Sequence, residues 1–517
     1  MENYSFSEEN VRDEIDAAIE LKRFLGDKIE NASEEGMILE NVQELNNYKD
    51  LIAYIENDFG EKEMDEMERR EMLMNVEKIV DLIESEGGKV YVVGGYARDE
   101  ALKRFGYNLQ SKDVDLEVYG MSFDRIKELL SDGFWDIDLV GESFQVLKVD
   151  NSIDISIPRK DSKKGEGHND FTVEGDPEMS IEEAAKRRDF TINALLYDLR
   201  TGKIIDPYSG LKDLQRKVIR HVDDETFGDD PLRVLRAMQF AGRFGFDIDG
   251  KTTEIAKNLS LAEISKERFF EEWVKLLMKS SMPSMGLEAG KKMGVLEKIY
   301  PEIDTLDQFE EGNPWMQAKE MVDAAARISR EENVDKENQL ILMITSLCCS
   351  LRGGEEVAKG FLKKINASKV IIEKIVPLVR EKDFSIDNLS QSMVRNLSAK
   401  LYPATIEQFV LLLRASNTKK ELCDELRKMA MEMNLEKDFP RPIKTASYLM
   451  EDGVSPGPLL GVLEKILFEA QLDGKFSNVE GAKMYYQENK DFLFDKAGEV
   501  MRKIEEAKKE ELEKRFQ

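Results

Sequence analysis

Histidine is nearly missing from this 517-residue chain, with only His168 and His221 present. That scarcity excludes histidine-rich metal centres. Cysteine is almost as rare. Cys348, Cys349 and Cys423 offer neither a disulfide framework nor a zinc-ligand spacing. The vicinal pair Cys348–Cys349 lies in an apolar stretch and reads as helix core. No apolar run approaches the roughly 20 residues needed to span a bilayer. The opening MENYSFSEEN has neither the basic nor the apolar region of a signal peptide. The expectation is a chain with no membrane partner in a reducing cytoplasm. Positive charge is also in deficit, with 75 Lys and Arg against 104 Asp and Glu, a net charge of −29. Residues 1–75 alone hold 22 acids against 8 bases. Such a balance argues against indiscriminate nucleic-acid binding. The basic clusters Arg159–Lys164, Lys186–Arg188 and Arg233–Arg243 are left to serve a local site or a stripe along which a polyanion could lie.

Length implies several domains. Residues 1–75 read as an acidic helical extension poor in Pro and Gly, its simplest role a solubilising or packing appendage. Residues 76–220 mix strands and helices. The pattern predicts strands over Lys89–Val93, Asp113–Tyr119, Phe144–Val149 and Ile153–Ile157. It predicts helices over Met74–Ser85, Ala97–Phe105, Ser122–Ser131 and Ile181–Tyr197. Between the last strand and the last helix, Arg159–Met179 reads as a long Gly- and Lys-containing loop. From Pro231 onward nearly everything is helical, with Pro and Gly punctuation and no internal repeat. The fold class is α+β. A head over 76–220 precedes a helical neck at 221–305, a body at 306–435 and a tail at 436–517.

Chemistry concentrates in Lys89–Val118, KVYVVGGYARDEALKRFGYNLQSKDVDLEV. An apolar strand runs into Gly94 and Gly95, and Arg98 follows. Alternation then puts Asp113 and Asp115 on one strand face. A glycine pair alone is an ordinary tight turn, and an isolated D-x-D is an ordinary solvent face. Together, bare backbone N–H groups, a nearby arginine and paired carboxylates suit a metal-triphosphate site. It is not a Walker loop, since no G-K-[ST] follows. Asp99 reads as a helix-start or salt-bridge residue. In SIDISI, Ile153, Ile155 and Ile157 alternate with Asp154 and Ser156, so Asp154 is a candidate third carboxylate. Three acids on adjacent strands repel one another unless cations neutralise them, and Mg²⁺ is the expected cofactor.

Two clusters follow. KRRDFTINALLYD offers Arg187 and Arg188, either a solvated basic turn or a triphosphate contact. Asp189 and Asn193 lie four apart on the expected helix, placed to bind ribose or brace the arginines. DDPLRVLRAMQFAGRFGF spaces Asp230, Arg233 and Arg236 by three, on roughly one helix face. That is either an intrahelical ion-pair ladder or a base reader. A carboxylate that accepts from an exocyclic amine, beside a guanidinium that donates to ring acceptors, selects C and A over U and G.

VVGGYARD, KDVDLEV, RRDFTINALLYD and DDPLRVLR, in this order and spacing, resemble the motifs of the class II tRNA nucleotidyltransferase and bacterial poly(A) polymerase family. IIDPYSGLKDL resembles the family's link between head and neck. The resemblance covers about residues 88–250 and continues more weakly through ERFFEEW, VLEKIYPEI and GVSPGPLLGVLEKILFEAQLDG. It implies a polymerase-β-like nucleotidyltransferase head with helical neck, body and tail. It implies addition of CMP and AMP, from CTP and ATP, to a tRNA 3′ end. In that reading Asp113 and Asp115 bind the metals, while Gly94, Gly95, Arg98, Arg188 and Asn193 hold the nucleotide. Asp230 and Arg233 read the base with support from Arg236, and Asp154 is an optional third catalytic carboxylate. Asp229 stands where Glu is usual, and Gln239 where another arginine often sits. Gln317, Cys349 and Ser350 replace the metal ligands of the phosphohydrolase domain that some relatives carry, so the expectation is that this activity is lost. Within the family, A-adding, CC-adding and poly(A) polymerase activities stay open. A catalytically silent RNA-binding relative is the alternative of a different class. A small-molecule or protein acceptor fits the long helical body less well.

Overall fold

The computed structural model describes residues 66–107, 113–131, 137–140, 145–150, 152–163, 171–310 and 312–515. All but the last ten residues of the expected acidic extension therefore lie outside the described residues. The chain forms two compact units, with one division between Arg327 and Ile328 and Lys364–Asn366 joining the first.

In the first unit, helix α1 (Glu66–Ser85) turns one face inward. Met72, Val76, Ile79, Val80 and Ile83 are buried on it. It starts eight residues before the expected Met74, because Met72 packs in the same stripe. Strand β1 (Lys89–Val93) runs directly into α2 (Gly94–Lys103), and β2 (Val114–Tyr119) into α3 (Phe123–Ser131). Strands β3 (Ile137–Val140), β4 (Val146–Val149) and β5 (Ile153–Ser156) follow. Later come β8 (Leu196–Asp198) and β9 (Lys203–Ile205), which close a mixed seven-stranded sheet of order β3-β4-β5-β2-β1-β8-β9. One sheet face carries Val90, Val92, Val114, Leu116, Val118, Ile153 and Ile155, and α1 and α3 cover it. Strict alternation leaves the opposite face to Asp115, Glu117, Asp154 and Ser156.

Two expectations are corrected. Arg159–Met179 is not a loop: β6 (Arg159–Lys163) and β7 (Phe171–Gly175) pair antiparallel as a hairpin, and its tip, 164–170, lies outside the described residues. Ile181–Tyr197 is not one helix. Helix α4 (Ile181–Lys186) opens on a Ser180–Glu183 capping box and stops after one and a half turns. Phe190 is extended and bridges to His221, Thr191 N–H donates to the Arg220 carbonyl, and a short 3₁₀ turn covers Thr191–Asn193. Asp189 accepts from the Phe190 N–H (2.8 Å) and the Asn193 amide (3.0 Å). Such side-chain bonds compete with helical ones and end the helix.

Helix α5 (Gly210–Arg216) leads to α6 (Leu232–Phe244), the central helix of the following segment. Val234, Leu235, Ala237, Met238 and Ala241 are buried on α6, and Gly245 ends it in a left-handed conformation (φ 69°). Helices α7 (Gly250–Asn258), α8 (Lys266–Lys279) and α9 (Pro283–Lys292) follow. Asp230 precedes α6 instead of riding on it, which corrects the shared helix face expected for Asp230, Arg233 and Arg236.

The second unit is helical among its described residues. Lys336–Cys349 is an apolar helix in which Cys348 and Cys349 are buried, and burial pushes the Cys349 thiol up to about 12. Toward the C-terminus, Tyr448, Leu449, Leu463, Leu467, Tyr486 and Leu493 form a separate core. Among the described residues no helix is long and apolar enough to cross a membrane.

Candidate active site

Register, not sequence proximity, assembles the site. Asp115 on β2 lies opposite Asp154 on parallel β5, and Asp154 lies opposite Lys148 on β4. On the other side Asp115 lies opposite Val93, the last residue before Gly94. One row across the sheet therefore reads Lys148, Asp154, Asp115, Val93. Asp113 sits exposed at the mouth of β2. The three candidate carboxylates share one end of one face.

Gly94 is obligatory for this arrangement. Its φ of +66° is left-handed, and a Cβ built there would meet Asp115 Oδ2 at 2.6 Å. The start of α2 thus closes directly over the carboxylate, and Gly95 continues into the helix.

The electrostatics favour a cation. Burial first, then Asp154 and Asp113, push the Asp115 carboxyl from 3.8 up to about 6, while Arg188 and Lys148 pull against them. Asp154 Oδ1 is buried with no hydrogen-bond partner, its ion-pair contact being Lys148 Nζ at 3.9 Å. Among the described residues no three acidic, His or Cys side chains close into a ready-made metal cage. Mg²⁺ needs only one or two carboxylates, completed by water and phosphate oxygens, and this donor set fits that demand.

The next row holds a residue that sequence reasoning passed over. Glu117, opposite Tyr91 and Ser156, is 2% exposed. It accepts from Tyr119 Oη (2.7 Å) and Arg188 Nη2 (3.3 Å), with Arg187 Nη2 at 3.6 Å. Burial, then the Glu117 charge, push the Tyr119 hydroxyl far up, so it stays a donor. Extending the alternation of DVD two residues further would have found Glu117.

Arg98 and Asn193 form a brace. Arg98 is buried; it donates from Nε to Asp99 (2.9 Å) and from Nη1 to Asn193 Oδ1 (2.9 Å). Its guanidinium lies over the rings of Phe244 (4.9 Å) and Phe240 (5.7 Å) of α6. Asp99 is thus a salt-bridge residue. Arg243, also over Phe244, is pushed down to about 10 by burial and by Arg98.

Arg236 leaves the expected ladder to bind Asp189, with Nε and Nη2 each 2.8 Å from Oδ2. Burial pushes the Asp189 carboxyl up, but Arg236, Asn193 and the Phe190 N–H outweigh it and hold it below the usual carboxylate range. Its stabilisation is therefore present above the ordinary carboxylate pKa and lost as pH falls below it. Asp189→Asn is expected to destabilise the first unit by about 1–2 kcal/mol, because it leaves the partly exposed Arg236 guanidinium without its carboxylate partner. Urea unfolding at pH 7 measures this.

Arg233 donates to the carbonyls of Thr226 (2.7 Å) and Arg187 (2.6 Å), and not to Asp230. Asp230 accepts from the Leu232 N–H (3.1 Å) and from Arg268 Nη2 (3.2 and 3.4 Å) on α8. Arg268 carried no local signal, since it reaches Asp230 across 38 residues.

Residues 90–220 match the family model of the poly A polymerase head domain. Residues 245–306 match that of a probable RNA and SrmB-binding site of polymerase A. The multifunctional CCA protein of Haemophilus ducreyi is 36% identical over 226 residues, 42% of this chain and 52% of that protein. The CCA-adding enzyme of Blochmanniella floridana is 33% identical over 288 residues, 54% of this chain and 66% of that one. The matched part thus spans about half the length of such curated relatives, and up to two thirds in the second. In fold, the Bacillus stearothermophilus CCA-adding enzyme in complex with CTP aligns with a TM-score of 0.57 at 21% identity, covering 83% of this chain and 98% of that one. A CCA-adding enzyme with ATP aligns at 0.56 and 20%, covering 81% and 96%.

Proposed function

We propose that this chain, a member of the class II tRNA nucleotidyltransferase and bacterial poly(A) polymerase family, adds CMP and AMP to the 3′ end of tRNA without a template. The observation that carries the reading is the row of carboxylates. Asp115 is raised to about 6 beside Asp154 and Asp113, and Asp154 Oδ1 has no hydrogen-bond partner, while the left-handed Gly94 lets the start of α2 close over Asp115. Such a cluster is costly until a cation enters.

The tRNA 3′-hydroxyl attacks the α-phosphorus of CTP or ATP. An O3′–P bond forms as the hydroxyl proton passes to solvent, the bond between the α-phosphorus and the bridging β-phosphate oxygen breaks, and pyrophosphate leaves. Asp113 and Asp115, with Asp154 alongside, would hold Mg²⁺, which when bound would supply charge neutralisation and Lewis acidity. The residues orient the reactants. N–H groups at Gly94 and Gly95 and the Arg188 guanidinium meet the triphosphate. Arg98 acts from behind, fixing Asn193 and tying α2 to α6. Asp230 accepts the exocyclic amine shared by C and A, Arg233 donates to the ring, and Arg236 locks their helix to Asp189. We assign 76–220 to the catalytic head, 221–305 to the neck, and 306–435 and 436–517 to a body and tail that hold RNA, in the cytoplasm where tRNA is matured.

The test supplies tRNAs ending at the discriminator base, after C, and after CC, each with single NTPs. Two C then one A is the expected outcome. No C on any acceptor overturns the reading, and A only after CC assigns the A-adding branch. Asp230→Ala is expected to lower kcat/KM for CTP and ATP by 10- to 100-fold, about 1–3 kcal/mol. UTP and GTP should be nearly unaffected, so selectivity collapses.

A further inference from the structure

Strand β2, which carries Asp115 just past Asp113, continues to another acid on the same face, Glu117, for which that mechanism has no use. It lies two residues past Asp115, roughly 6.6 Å along the strand. A buried carboxylate this close to a metal site is either a further ligand or a support. Its surroundings decide: Tyr119 Oη, Arg188 Nη2 and Arg187 Nη2 converge on it at 2.7, 3.3 and 3.6 Å. Both arginines hang from the end of α4, where Arg187 is the C-cap. One carboxylate against two guanidiniums leaves a net positive charge beside the Asp115 row. Glu117 therefore does not cancel the cationic field but pins it. Arg188 also keeps donors in hand: Nη1 goes to the Asn193 carbonyl (3.3 Å), while Nε is buried with no hydrogen-bond partner. The same guanidinium acts electrostatically on Asp115. It thus sits between a carboxylate assigned to the metal and one engaged only by side-chain donors.

We propose that Glu117 is a positioning residue that holds Arg188 over the sheet as a clamp for the departing β- and γ-phosphates. The inference rests on the nucleotidyl-transfer reading above. Glu117→Gln keeps the shape and an acceptor for Tyr119 but removes the charge that orients Arg188. Equilibrium dialysis with CTP or ATP and Mg²⁺ should show binding weakened about tenfold for both nucleotides alike. Steady-state assays on tRNA should show KM rising with it and kcat changing less than threefold. In an Arg188→Ala background the same substitution should have under a twofold effect, because its influence passes through Arg188. Unchanged or tighter nucleotide binding overturns the proposal, since Glu117 is then only a counter-charge. An undiminished effect without Arg188 also overturns it. Tyr119→Phe, which removes one of the bonds to Glu117, is the companion variant should Glu117→Gln not fold. A two- to threefold weakening supports the proposal and no change overturns it. The dialysis reports on Glu117 even if no tRNA is extended, so failure of the clamp and failure of the transfer reading are separable.

Discussion

Asp115→Asn is expected to reduce nucleotide transfer by on the order of 10³-fold or more, while making the metal-free protein more stable at neutral pH. The loss follows from the role. A carboxylate that holds the cation contributes several kcal/mol of transition-state stabilisation, and about 4 kcal/mol is a factor of 10³. The gain in stability follows from the same geometry. Asp115 is half-buried between Asp154 and Asp113 and beneath Gly94, and its carboxyl rises from 3.8 to about 6. A raised carboxyl contributes stability that is fully present below the unfolded value and lost as pH climbs through the folded one. Ionised Asp115 therefore costs the fold at pH 7, by at most about 3 kcal/mol for a shift near two units. The neutral amide escapes that cost. Thermal melts in chelator should show wild type falling relative to Asp115→Asn between about pH 4 and 7. Mg²⁺ should raise the wild-type melting temperature and leave the variant unmoved. Asp113→Ala, at the exposed mouth of β2, should lose transfer as severely with little change in the chelator melts. A wild type that matches Asp115→Asn at every pH would remove the basis for a strained carboxylate row.

The sheet face was readable because period-2 alternation is local. DVD and SIDISI each place their acids on one side of a strand, and β2 and β5 bring those sides together. What alternation cannot supply is register. The sequence alone does not say that Asp115 meets Asp154 instead of Ser156, one step along the strand. The same limit hid Lys148, which reaches the row only because β4 pairs with β5. Residues 181–197 were misread for a different reason. Helical spacing of apolar residues outweighed Asp189, Thr191 and Asn193, whose side chains bind nearby groups and unwind the segment. The error changes the chemistry: Asp189 and Asn193 are not neighbours on a helix face but the two ends of a brace from Arg236 to Arg98. Arg268 was invisible on distance, as its partner Asp230 lies 38 residues away. Local chemistry was thus legible from motifs, whereas every pairing between motifs needed tertiary structure.

Gly94→Ala should lower transfer by about 10²-fold while costing the fold only about 1–3 kcal/mol. Two effects separate here. An alanine at φ +66° carries the left-handed penalty, roughly 1–2 kcal/mol. Its Cβ also meets Asp115 Oδ2 at 2.6 Å, closer than non-bonded atoms come. The yielding partner is the end of a side chain and not a backbone atom, so the fold survives by moving the carboxylate. That displacement falls on the group assigned to the cation, where a shift on the order of 1 Å costs about two orders of magnitude in rate. Gly106 supplies the control. It too is left-handed, at φ +86°, but a Cβ there meets nothing within 4 Å. Gly106→Ala should therefore lose comparable stability and keep its transfer rate. Single-turnover incorporation of C, set beside urea unfolding of both variants, distinguishes strain from displacement. Equal rate losses in the two variants would mean that backbone strain, and not the approach of Gly94 to Asp115, governs the site.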